Sequence, residues 1–579
     1  MLEAIKELGL LTGGRPLYDE ISADKVIVLN FDEEGNFAGT DLEKFDSKKV
    51  GLYLYKKAKG SNPPTLTPTI PVGVRDLKNK KEEKREKATD KLINNLRKSI
   101  KGVKEAANNQ NINISIDGEI RSEIKNKILE LSESLSNKER VILTIKINGK
   151  YIGQIQEFIE ALKNLVSQEG KDSKGKALCS VCLQEKEVSG DISPFKFYTI
   201  DKPGYIVGGF RKEEAYKNFP LCYECKELIE AGRSFIEKNL LFGFVGGLKY
   251  YLIPEFIYGI KEIVEEILEI LKNKEYRKHV LSKREKNNLT ADEEEILELL
   301  SEENDVLLLN FLFLEKTQGA ERILLFIQDI YPSRLKELFK AKKFIEKLLG
   351  DGERPYSFTY INIYKFFSKT DSSKSNPDLI KYFLEIVEKT FRCAPVDLNL
   401  VRKFLLNRIR RELQEEGNYS FVIRDAFGVF LFIIFTTGEE TMSEPRSENL
   451  KAFVESLPTL DTDLKRGLFL MGALAERLLR VQYSQRESKP FLKKLRSLRM
   501  RQSDLMELLP EIRAKLEEYD GFRKGEATLF ETASEYLAKT QPNWNLSIEE
   551  MNFYFALGMG MFNRIAGFIY KGGDHEEQA

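Results

Sequence analysis

The sequence predicts an α+β protein: a mixed amino-terminal platform with an inserted four-cysteine zinc module, followed by helical domains and a carboxy-terminal helical bundle. Three observations predict it. Apolar runs of strand length alternate with helical spacing in the early part of the chain, two Cys-x-x-Cys pairs follow, and beyond Thr436 apolar residues recur at helical spacing between polar breaks. A chain of 579 residues is too long for one hydrophobic core. We delimit a mixed domain at residues 1–170, a zinc-binding module at 171–235, a mixed then mainly helical region at 236–435 and a bundle at 442–579.

Met1 to Gly13 reads as a short amphipathic helix stopped by glycine. Lys25–Phe31 and Gly51–Tyr55 read as strands, with a turn over Asp32–Asn36. Pro63, Pro64, Pro68 and Pro71 restrict the backbone to an ordered loop. The charge-dense stretch Lys78–Lys87 opens a solvent-exposed helix. Val141–Ile147, Asn148-Gly149 and Tyr151–Ile155 form a hairpin, because Asn-Gly suits the positive φ angles of a two-residue turn. Helical spacing resumes at Phe158.

Phe242–Tyr251 is an aromatic strand delimited by Pro254, and a helix runs from about Ile260 to Leu271. Ala291 to Leu349 reads as mostly helical, with the aromatic and leucine face of Leu308–Leu314 in its core. After a break at Asp351–Ser357, two or more helices continue to Glu415. Ala426–Phe435 is apolar but only half a membrane span, and Met1–Leu11 lacks the pattern of a secretory leader, so the expectation is a cytoplasmic protein with no membrane partner. The bundle breaks at Ser456–Asp463, Ser488–Pro490 and Gln541–Asn545. Small residues among large ones in Phe469–Leu474 and Phe555–Met561 predict that these two helices pack through those segments.

Cys179, Cys182, Cys222 and Cys225 are four of only five cysteines. Two such pairs can converge four thiolates on a tetrahedral zinc, and soft charged ligands disfavour magnesium or calcium. A closed four-thiolate site leaves no position for substrate, so its zinc would hold a fold and not activate water. The bland alternative is two unrelated buried cysteine pairs. Lys171, Lys174 and Lys176, beside the first pair, face either nucleic acid or plain solvent.

Ninety-one basic residues balance 91 acidic ones, so net charge points to no polyanion and any nucleic-acid surface must come from local segregation. Near the amino terminus the phosphate-facing candidates are Lys56, Lys57, Lys59, Lys78, Lys80 and Lys81. Further on, Lys403, Arg408, Arg410 and Arg411 cluster on one helix. The longest basic series lies in the bundle: Lys465, Arg466, Arg477, Arg480, Arg486, Lys489, Lys493, Lys494, Arg496, Arg499, Arg501, Arg523 and Lys524. Tyr483, Phe491 and Phe522 are candidates for stacking on a displaced base, against the alternative of core aromatics beneath a solvated basic face.

Only His279 and His575 are present, so histidine metal clusters and histidine triads lack material. No phosphate-cradling lysine loop or dinucleotide glycine fingerprint stands out, despite Gly208-Gly209 and Gly246-Gly247. We therefore expect no catalytic residues.

Carried by the paired cysteine knuckles and the late helices around Gly467–Gln482 and Phe553–Phe562, the chain resembles the large subunit of subtype I-B Cascade, an RNA-guided CRISPR surveillance complex. The resemblance implies a non-enzymatic subunit that recognises a short PAM in duplex DNA, helps open the duplex, steadies the displaced strand and recruits a separate helicase-nuclease. Its partners would be crRNA, target DNA, the Cascade backbone and crRNA-processing subunits, and separate small helical subunits. The last would arise by internal translation: Gly438-Glu439-Glu440-Thr441 precedes Met442, and suitable codons there spell a ribosome-binding site. Two other classes compete: a zinc-stabilised adaptor unrelated to nucleic acid, and a divergent metal-dependent enzyme.

Overall fold

The computed structural model describes residues 1–13, 18–19, 21–58, 63–107, 112–167, 173–190, 195, 211–257, 261–272, 297, 300, 305–316, 321–350, 355–367, 379–415, 418–495 and 497–570. Two compact units emerge, Leu2–Phe235 and Ile236–Ala579.

In the first unit, α1 (Leu2–Leu11) precedes β1 (Lys25–Phe31), β2 (Phe37–Lys44), α2 (Val50–Tyr53), β3 (Ile70–Val72), α3 (Val74–Leu77), α4 (Glu82–Ala106), α5 (Gly118–Glu133), β4 (Val141–Ile147), β5 (Lys150–Tyr151) and α6 (Gln156–Ser167). The sheet order is β2-β1-β4-β3, with β5 paired to β4 and with β1 and β4 parallel. Because side chains alternate across a strand, β1 sends Ile27 and Leu29 to one face and Val26 and Val28 to the other. Leu96 and Ile100 of α4, Ile124 and Ile128 of α5 and Phe158 of α6 cover the first face. Tyr53 and Tyr151 close the second.

The turn at Asn148-Gly149 forms as expected, with φ of 46° and 76° at its two residues, but the second arm ends at Tyr151 and Ile152–Gln154 is a 3-10 turn, not a continuation of the strand to Ile155. Gly51–Tyr55 does not form a strand: its first residues are the short helix α2, ended by Leu54 at φ 51°. Five residues cannot establish a period, and here the packing of Tyr53 decided. The elements that carry the four cysteines follow: β6 (Lys174–Leu178), β7 (Glu185–Ser189), β8 (Leu221–Cys222) and α7 (Tyr223–Asn239).

The second unit opens with β9 (Leu241–Gly243), β10 (Lys249–Phe256), α8 (Lys261–Lys272), β11 (Leu307–Lys316) and β12 (Glu321–Ile330), the four strands forming an antiparallel sheet in the order β12-β11-β10-β9. This corrects the helical reading of Leu308–Leu314. An unbroken apolar run fits a buried strand as well as a helix, and β11 is buried over nearly its whole length. Pro254 lies inside β10 and does not delimit it.

Helices α9 (Pro332–Leu349), α10 (Tyr360–Tyr364), α11 (Ile380–Arg392), α12 (Leu398–Gln414) and α13 (Tyr419–Thr436) follow, then α14 (Leu450–Ser456), α15 (Asp463–Arg486), α16 (Gln502–Glu518), α17 (Lys524–Ala538), α18 (Ile548–Gly560) and α19 (Phe562–Ile569). Helix α13 is long and apolar enough to cross a membrane, but it is largely buried within the unit. Its Phe432 meets Phe358 and Tyr360, its Phe435 meets Phe344, and its Phe430 meets Phe553 of α18.

Helices α15 and α18 cross through the expected small-residue segments. A Cβ on Gly472 would lie 1.8 Å from the Phe555 carbonyl oxygen, and one on Gly558 would lie 1.7 Å from that of Phe469. Only glycine permits this approach.

Candidate metal centre and basic surfaces

The centre is built by a hairpin, a short strand and a helix start. The β6–β7 connection is a tight knuckle: Cys179 N–H donates to Gln184 O at 2.9 Å, Leu183 N–H to Cys179 O at 3.0 Å, and Leu183 takes φ 54°. Ser180 N–H donates to Pro220 O at 2.8 Å, tying this knuckle to the second. Pairing of Val188 with Cys222 fixes β8 on β7, and Cys225 rides on the first turn of α7. The backing turn at Lys212–Lys217 presses onto the hairpin so closely that a Cβ at Gly190 would meet Ala215 backbone at 2.2 Å.

All four sulfurs lie within 4.8 Å of one another, and Cys182 Sγ is 3.9 Å from Cys222 Sγ. A tetrahedron with metal–sulfur bonds of about 2.3 Å has sulfur–sulfur edges of about 3.8 Å, so the donor set fits a tetrahedral thiolate metal. Cys179, Cys222 and Cys225 are buried and Cys182 half-buried. Burial opposes ionisation of Cys179, but N–H donors from Cys182, Cys222 and Val181 bring its thiol down to about 6. Burial pushes Cys222 and Cys225 upward, and thiolate neighbours add to the effect at Cys225. Four thiols packed this closely ionise together only around a compensating cation.

The structure sorts the basic candidates by what they touch. Lys56 is only 8% exposed and its Nζ donates to Asp19 Oδ1 at 3.0 Å, so it is an internal ion pair and not a surface cation. Lys57 is exposed, with its backbone N–H held by Asp19 Oδ2. Lys78 Nζ donates to Glu133 O and Leu135 O at the end of α5, while Lys80 and Lys81 are exposed. Lys174 pairs with Glu187, and Lys176 is exposed.

In the second unit Arg408 pairs with Glu412, Arg477 with Glu526, Arg480 with Glu476, Lys465 with Asp461, Arg466 with Asp463 and Lys494 with Glu511. Arg486 stacks over Tyr519, Lys489 over Tyr419 and Tyr483, and Arg410 donates to Leu498 O. Lys403, Arg411, Lys493, Arg499, Arg501 and Lys524 form no ion pair among the described residues, and all but half-buried Arg411 are exposed. Arg523, also exposed, sits at the start of α17.

Of the stacking candidates, Tyr483 is 58% exposed, whereas Phe491 is 4% exposed and belongs to the core. Phe522 is half-buried beside Phe530, with the Arg513 guanidinium over both rings. Lys59, Lys171, Gly208-Gly209, His279, Arg496 and His575 lie outside the described residues.

Tertiary folding also assembles what sequence reasoning kept apart. Arg408, Arg410 and Arg411 of α12 share one cavity with Arg499, and Lys365, which the charge pattern did not single out, joins them. Lys365 stands alone in an aromatic stretch, so no local signal marks it.

Three family models match the chain in order. These are the N-terminal, central and C-terminal domains of CRISPR-associated protein TM1802, at residues 1–164, 176–330 and 358–572. The central match begins at the first cysteine hairpin and contains all four thiols. No curated protein matches the chain.

Proposed function

From the premise that the chain belongs to the family of CRISPR-associated protein TM1802, we propose that it is the non-catalytic large subunit of a subtype I-B RNA-guided DNA surveillance complex. The consecutive match of three domain models carries this reading. Within such a complex, base pairing with crRNA reads most of the target, and the large subunit reads a short PAM, helps open the duplex, steadies the displaced strand and recruits a separate helicase-nuclease. Its other partners are the Cascade backbone and crRNA-processing subunits.

The four-thiol centre holds zinc in this proposal. With every position filled by protein, the ion braces the β6–β7 hairpin against β8 and α7. The exposed cations of the second unit that form no ion pair among the described residues, Lys403, Lys493, Arg499, Arg501 and Lys524, are the side chains best placed to take phosphates, and Tyr483 is an exposed ring available for stacking.

Co-expression with the neighbouring reading frames and purification on the full-length chain tests the reading. We expect bound RNA of uniform length, partner subunits, and target-dependent DNA binding that falls steeply with salt. A chain recovered without RNA or partners, with no effect on DNA binding when omitted from the assembly, would refute it.

A further inference from the structure

The cavity shared by α12 and the turn at Ser497–Arg499 has the composition of an anion seat. It encloses about 430 Å³, within the range of roughly 300–1,000 Å³ typical of small-ligand pockets. Among the described residues, Lys365, Arg408, Arg410, Arg411 and Arg499 line it with Phe366 and Phe404, and no carboxylate does. Two of the cations already form ion pairs, Lys365 with Asp425 and Arg408 with Glu412. Arg411 and Arg499 form no ion pair among the described residues.

The turn that presents Arg499 is held in an uncommon backbone conformation. Ser497 and Leu498 both take positive φ, 49° and 58°, a conformation that side-chain-bearing residues seldom adopt twice in succession. It persists because it is clamped on both sides. Arg410 donates through Nε and a terminal nitrogen to Leu498 O at 3.3 and 2.9 Å, and Gln414 Nε2 donates to Ser497 Oγ at 3.4 Å. On the far side buried Asn552 accepts from Met500 N–H at 3.0 Å and donates to Met500 O at 2.8 Å. Between these anchors Arg499 is exposed. Burial and then the charge of Arg499 lower the Arg410 guanidinium from its ordinary value, with the Glu549 carboxylate opposing in part. Strain at such a turn is kept where surrounding structure over-determines it, commonly at ligand clamps. An anion between Arg410, Arg411 and Arg499 relieves the like-charge repulsion.

We propose that this cavity seats one unpaired nucleotide of a single strand, its phosphodiester held by Arg411 and Arg499 and its base against the apolar wall at Phe404. The inference rests on the reading of the chain as a nucleic-acid-contacting subunit and adds to it the seat and the residues that form it. A cavity admits a base that has left its stack, whereas a paired duplex presents its phosphates to a surface.

The test is fluorescence anisotropy on the full-length chain with a labelled single-stranded oligonucleotide, the same sequence as duplex, and AMP or orthophosphate as competitor. Arg411→Gln and Arg499→Gln are compared with Lys515→Gln, whose side chain pairs with Glu518 away from the cavity. Arg499→Lys keeps the charge without the planar fork and provides a folded intermediate case, with thermal unfolding recorded for each variant. We expect the double Gln variant to lose single-strand affinity on the order of tenfold, with the salt slope falling by about 0.7 per lost contact. Duplex affinity should change less, and Lys515→Gln not at all. Equal losses for duplex and single strand, or orthophosphate competing as well as AMP, would overturn the single-strand seat. Unchanged affinity in both Gln variants, or a wild-type chain that by itself binds no single strand, would remove the cavity while leaving the proposed function to the test on the assembly.

Discussion

At the residue scale, local chemistry is decisive at the four thiols and nearly silent at the cations. The Cys-x-x-Cys spacing was readable because each pair sits on one turn, where the backbone alone sets which way the sulfurs face. Elemental analysis of the purified chain should find about one zinc per chain. Cys222→Ser and Cys225→Ser should each abolish it and lower the thermal midpoint, since binding energy at such sites is folding energy. A zinc-free wild-type chain with the same unfolding curve would contradict the assignment. Lys56 and Phe491 misled the sequence reading because burial is settled by tertiary packing: Asp19, which pairs with Lys56, lies far from it in sequence, and Phe491 is enclosed on folding. The Glu535 carboxylate, paired with Lys451 at 2.7 Å and Lys539 at 2.8 Å, is held down to about 2. Its folded value is below the ordinary carboxylate range near about 4.3, so its contribution is complete above that range and is lost as pH falls toward 2. Replacing Lys451 by Met should therefore shrink the acid limb of the stability profile and leave a smaller difference at low pH.

At the scale of elements, the crossing of α15 and α18 was foreseeable and the strand β11 was not. Glycine among large apolar residues announces a close helix contact, and the structure places Gly472 and Gly558 against each other's helix backbones. Gly472→Ala and Gly558→Ala should each cost about 1–3 kcal/mol by urea denaturation, because the helices must separate. The double variant should cost less than the sum, since one separation relieves both clashes. By contrast a methyl group added at Gly567, in α19, would meet nothing within 4 Å, so Gly567→Ala should gain up to about 1 kcal/mol. Leu308–Leu314 was ambiguous because a strand buried on both faces loses the alternation that identifies strands.

Across the whole molecule, the segment around Met442 links the second unit's core to its last helices. Met442 lies in an extended stretch before α14, whose first turn is capped by Asn449 Oδ1 accepting from Ala452 N–H at 2.9 Å. If Met442 is an internal start, its product carries α14 to α19 but lacks α13, against which α18 packs through Phe430 and Phe553. That product should then be recovered with other subunits covering the apolar face of α18. Changing the start codon without disturbing the full-length chain should remove it on an immunoblot; its persistence would rule out this start. By itself the sequence determined the α+β class, the thiol set, the turn at Asn148-Gly149 and the paired glycine helices, because each is announced by short motifs whose own residues lie within a few positions of one another. Only the tertiary structure decided which cations are neutralised and which converge, bringing Arg411 to Arg499 and Lys365 into one cavity. Charge is a property of a residue, but its availability depends on desolvation and on partners that the chain brings from far along its length.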